Sequence, residues 1–66
     1  MLPHHVERMV TEREELSEKV TKLEEFILNN PVFGALPECK RILLEKQFKV
    51  MVTYEGILTE RISLER

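Results

Sequence analysis

The sequence predicts an all-α fold: an antiparallel two-helix hairpin that assembles into a helical-bundle homo-oligomer. Two long segments repeat apolar residues every three or four positions, and a Pro/Gly-containing break separates them. The chain has 66 residues and one cysteine, so it is too short to enclose a core unaided and has no internal disulfide to staple it. No Cys/His set has zinc spacing either. The missing burial is therefore expected from other copies of the chain. The residue mix points the same way: 33% is charged, with only 2 Gly and 3 Pro, a composition suited to long helices.

The whole chain, 1–66, reads as a single hairpin, with the first helix expected over about residues 3–29. Pro3 suits a first helical turn, where its missing N–H costs nothing. The seam then runs Val6, Met9, Leu16, Val20, Leu23, Ile27 in steps that repeat as heptad a and d positions, and Arg13 fills the one remaining slot. The other faces are charged, Glu12, Glu14, Glu18 and Glu25 among them, and Glu15–Lys19 and Glu18–Lys22 have the favourable i,i+4 order. This surface is expected to be solvated. Asn29, Asn30 and Pro31 end the helix, because proline disfavours helical backbone at the residue before it.

Residues 30–36 are expected to form a short loop, with Phe33 and Leu36 tucked over the end of the hairpin. The second helix should span about residues 37–63, with Pro37 at its first position and Glu38 near the positive end of its dipole. Two adjacent stripes run along it. One is Leu44, Phe48, Met51, Glu55, Leu58, Ile62; the other is Leu43, Gln47, Val50, Tyr54, Ile57, Arg61, Leu64. Together they exceed what one partner helix can bury, which is the main reason to expect a four-helix or larger assembly. Gly56, inside this helix, costs about 1 kcal/mol relative to Ala and either marks a close backbone approach or has no role.

No nucleophile-and-base set, phosphate-cradling glycine loop or metalloprotease motif is present, so an enzyme is not expected, and neither is a cofactor or metal. His4 and His5 are adjacent, about 100° apart on a helix, and cannot serve one metal as an i,i+4 pair does. Cys39 reads as a small, partly buried residue and Lys40, Arg41, Lys46 and Lys49 as a solvated face. A net charge of −2 carries no footprint for duplex nucleic acid. With no apolar run long enough to span or enter a membrane, the chain reads as soluble and intracellular.

The informative residues are polar ones that interrupt the seams. In a hairpin turning near residue 33, positions whose numbers total about 66 lie side by side, which sets Arg13 near Tyr54 and Glu55 and Arg61 near His4, His5 and Arg8. Gln47, Tyr54 and Arg61 are spaced by seven and share one line, which a symmetric oligomer repeats about its axis. Arginine forks grip phosphates and tyrosine rings stack on bases, so Arg8, Arg13, Gln47, Tyr54 and Arg61 are the candidate ligand-binding residues, for a nucleotide. The competing reading makes Arg13 a salt bridge to Glu55 that sets hairpin register, Arg61 a helix-end charge and Tyr54 an amphipathic core edge.

Several runs resemble a known group. Glu12-Arg13-Glu14-Glu15-Leu16-Ser17-Glu18-Lys19-Val20, then Leu23-Glu24-Glu25-Phe26-Ile27, Asn30-Pro31-Val32-Phe33 and Leu36, are similar to small helical-hairpin accessory proteins of tailed phages, including a family first noted in crAss-like phages. Leu43-Leu44, Gln47, Met51, Tyr54, Leu58 and Arg61-Ile62 extend the likeness across nearly the whole chain, while Met1 to His5 departs from it. The resemblance implies a phage protein in the host bacterial cytoplasm. Some small helical phage proteins counter host defence as oligomers that soak up a cyclic-nucleotide or ADP-ribose-type immune signal, and by analogy the line of Arg13, Tyr54 and Arg61 fits such an anti-defence role. The expected function is thus a non-enzymatic sponge for a nucleotide signal. The alternative is a helical protein-interaction module that inhibits or adapts a host or phage protein.

Overall fold

The computed structural model describes residues 3–65, which form three helices and no strand. Helix α1 spans His4–Asn29, α2 spans Pro31–Ala35 and α3 spans Glu38–Leu64. α1 and α3 pack antiparallel along their length into a rod of 47 × 15 × 13 Å, two helices wide and one deep. No helix among the described residues is long and apolar enough to cross a membrane.

Prolines punctuate the chain, and Pro3 and Pro37 stand one position before the helical positions expected for them. Pro3 and Pro37 sit just outside their helices with extended ψ of 150° and 148°, and their carbonyls start the ladders: Pro3 accepts from Val6 and Glu7, Pro37 from Lys40 and Arg41. Pro31 both ends α1 and occupies the first position of α2, where its missing N–H is no loss. The connector expected to be a loop over residues 30–36 is therefore mostly helical. Asn30 explains why: its side-chain oxygen accepts from the Val32 N–H at 2.9 Å, a cap that nucleates the five-residue turn. Phe33 is half-buried and meets Phe26 edge to face, ring centroids 5.9 Å apart, so the turn closes the end of the hairpin as expected.

The core is lean. Val6, Leu16, Leu58 and Ile62 are the buried side chains, and Met9, Val20, Leu23, Ile27, Leu44, Phe48 and Met51 are half-buried along the same seam. The first stripe of α3 is thus the one that faces α1. The second stripe lies open: Leu43 is 64% exposed, Val50 68%, Ile57 49% and Leu64 86%. One α1 helix covers only about a third of the circumference of α3, so the remainder of the apolar arc has no cover within the hairpin. Cys39 lies exposed rather than partly buried.

A Cβ added at Gly56 meets nothing within 4 Å. Gly56→Ala is therefore expected to stabilise the protein by up to about 1 kcal/mol through helix propensity, whereas Leu58→Ala should cost about 2–5 kcal/mol by opening a cavity. Thermal melts followed by circular dichroism check both. A Gly56→Ala protein that melts below the parent would reveal a neighbour packed on that backbone.

Candidate functional site

Tyr54 is the pivot of the open face of α3. Its phenol Oη donates to Glu12 Oε1 at 2.8 Å, tying α3 to α1 across the hairpin. That hydrogen bond is the main reason the phenol is held above its ordinary pKa; lost hydration and the Glu12 charge push the same way, and the Arg61 charge pulls it down. Arg61 therefore acts on the ring from one heptad further along the helix. The ring is 41% exposed and borders a shallow groove of about 290 Å³ with Lys49, Val50, Thr53 and Ile57. A cation, an aromatic face and apolar walls meet there, a combination suited to stacking a flat ring.

Arg61 stands at the open end of the hairpin. It lines a small groove with His5, Met9, Leu64 and Glu65, and His5 Nε2 lies 3.5 Å from Glu65 Oε2. His5 is thus the expected neighbour that shares this groove; His4 and Arg8 do not line it. Gln47, on the Tyr54 line, sends its Nε2 toward Met51 Sδ at 3.7 Å, a weak contact that leaves the amide exposed.

Arg13 goes elsewhere. It is half-buried and lines a groove with Glu14, Ser17, Glu55 and Thr59, without Tyr54. The reason is helical geometry. Successive residues point about 100° apart, so the Glu12–Tyr54 pair emerges on one side of the plane of the hairpin and the Arg13–Glu55 pair on the other. Arg13 shares this groove with Glu55, as the side-by-side register expects. The salt bridge considered for that pair is not formed: His5–Glu65 is the one ion pair within 4.0 Å among the described residues, and Glu55 Oε2 is shut from solvent with no hydrogen-bond partner.

Two residues of the site were not singled out in the sequence. Glu12 was placed on the solvated face, although the register rule itself sets position 12 across from position 54. Lys49 was read as part of a generic basic surface, and only the Tyr54 groove gives it a location.

Tyr54 is the single tyrosine of a chain without tryptophan, so its ionisation can be followed by ultraviolet absorbance. The phenol should titrate above the usual value of about 10, Glu12→Gln should lower that pKa, and Arg61→Ala should raise it further. Because the folded pKa is raised, the stabilisation from this hydrogen bond is fully present below the unfolded pKa and is lost as pH climbs through the folded one. An ordinary titration unaffected by Glu12→Gln would contradict the tie.

No curated protein and no solved structure matches this chain. A family model described as Sequestin, a name that speaks of sequestering, matches residues 3–64, which take in both long helices, the helical turn and every candidate residue. By that match the chain belongs to the Sequestin family.

Proposed function

We propose that this is a non-enzymatic phage protein that, as a homo-oligomer in the host bacterial cytoplasm, binds and sequesters a nucleotide immune signal. The observation that carries the reading is that Tyr54 and Arg61, an aromatic face and a guanidinium fork, stand one heptad apart on the same exposed stripe of α3. The family name, which speaks of sequestering, supports it. A sponge needs affinity and copy number, not turnover, and these are binding groups.

The chemistry assigns the roles. Glu12 puts a negative charge beside Tyr54, so phosphates are disfavoured there and the ring takes the base, with Lys49 beside it. Phosphates belong at Arg61, about 10 Å along the helix axis, a gap that the flexible arginine stem shortens. Gln47 offers amide donors and acceptors for a base edge. Arg13 and Arg8 lie on α1, off this line, and are held as secondary ligand contacts. The signal is a cyclic nucleotide or an ADP-ribose-type molecule.

Calorimetry of the purified protein with cyclic di- and trinucleotides and cyclic ADP-ribose isomers should give heat for at least one signal. Arg61→Ala should abolish it without lowering oligomer mass. Silence across the whole panel would remove the idea. The uncovered apolar stripe also favours a second reading, a module that docks on a host or phage protein. In that case pulldown from host lysate should return one stoichiometric protein, lost when Glu14, Glu18 and Glu25 are reversed to Lys.

A further inference from the structure

We infer that a second copy of the chain covers the open stripe of α3 in an antiparallel pairing, α3 against α3, which brings Gln47 of one copy within one helical turn of Arg61 of the other. The inference rests on the self-association proposed above and adds its surface, direction and register.

The first support is the pattern. Leu43, Gln47, Val50, Tyr54, Ile57, Arg61 and Leu64 are spaced alternately by four and three, the 3.5-residue repeat of a coiled-coil seam, and all seven are exposed in the hairpin. A helix that packs only on α1 needs one such seam, which Leu44, Met51, Leu58 and Ile62 already supply. The second support is area. The hairpin exposes 5198 Å², whereas a folded monomer of its 7.8 kDa mass exposes about 4,400 Å². The excess of about 800 Å² is what each partner contributes to a stable interface of standard size.

Charge decides the direction. Leu43, Val50, Ile57 and Leu64 occupy d positions and Gln47, Tyr54 and Arg61 occupy a positions. A parallel, in-register pairing stacks Arg61 on the partner's Arg61 inside the seam and sets Glu60 against the partner's Glu65, like charges at both places. An antiparallel pairing sets a against d instead: Arg61 lies over the partner's Leu43, Tyr54 over the partner's Val50 and Gln47 over the partner's Ile57. In that register the flanking Lys46 approaches the partner's Glu60, and the two-fold symmetry repeats this favourable pair. The arginine stem covers apolar surface while its head stays in water, one turn from the partner's Gln47. The two Tyr54 rings come within about 6 Å of each other along the axis, near the dyad. The partner's Val50 and Ile57 then stand against Tyr54 and Gln47, so the groove beside Tyr54 narrows to the edge of the seam at Lys49 and Thr53, and a ligand reaches the ring from that edge.

Light scattering on the intact protein should give a dimer or an even multiple. Val50→Glu, at a position the hairpin leaves exposed, should reduce the mass by breaking this seam while keeping the helical circular dichroism signal. Lys46→Glu should weaken association about tenfold, and adding Glu60→Lys should restore it. In a Cys39→Ser background, Lys46→Cys with Glu60→Cys should oxidise to disulfides joining position 46 of one copy to position 60 of the other. Links joining 46 to 46 and 60 to 60 would overturn the direction. A parent protein of monomer mass would sink the self-association altogether, whereas an oligomer whose mass is indifferent to Val50→Glu would sink this seam alone.

Discussion

The structure depends on a mismatch between two helices: α3 carries more apolar arc than α1 can cover. α1 is amphipathic in the ordinary sense, with one seam and a charged remainder, and it meets the Leu44–Ile62 side of α3. Four buried side chains result, Val6, Leu16, Leu58 and Ile62. A hairpin with so small a core has little stability in hand, because ordering more than sixty residues opposes it. The exposed Leu43, Val50, Ile57 and Leu64 are the apolar surface on which the proposed self-association rests. Polar residues within the same stripe keep it from being a featureless apolar strip: Gln47, Tyr54 and Arg61 restrict which registers a neighbour can adopt.

The same geometry partitions the candidate residues. One residue of offset on a helix is about 100° of rotation, enough to send Glu12 and Tyr54 to one side of the hairpin and Arg13 and Glu55 to the other. On the first side a short hydrogen bond to a carboxylate fixes the Tyr54 ring, which is then presented at low conformational cost. On the second, a carboxylate oxygen is buried without a partner, an arrangement that costs stability until something donates to it. The two faces of one hairpin thus differ in kind: one is preorganised and open, the other unsatisfied and partly closed.

Much of this was legible in the sequence, and the exceptions have physical causes. The long helices and the two apolar stripes of α3 follow from apolar period, which integrates over more than twenty residues; which stripe faces α1 does not, because both are apolar. α2 did not, because five residues contain too little period to read and Pro31 and Gly34 signal a break; the Asn30 cap that makes the turn helical is a local hydrogen bond. The register rule brought position 12 to position 54, but treating every charged residue of α1 as solvated hid Glu12. The side-by-side rule gives height along the rod and omits rotation about it, so it does not say which groove Arg13 borders.

Rotation also bears on how an anionic ligand is held. The net charge of −2 gives no long-range attraction for a phosphate, and Glu12 opposes one near Tyr54. Affinity at this face must then come from short-range terms: stacking on a fixed ring, the Arg61 fork, and exclusion of water by apolar neighbours such as Val50 and Ile57. In a lone hairpin those neighbours are themselves bathed in water, which screens the guanidinium and hydrates the ligand. Covering the stripe removes that water. On the proposed reading, burial of the α3 seam and ligand affinity are coupled quantities, since apolar surface covered by a second copy would also lower the dielectric around Arg61 at the seam's edge.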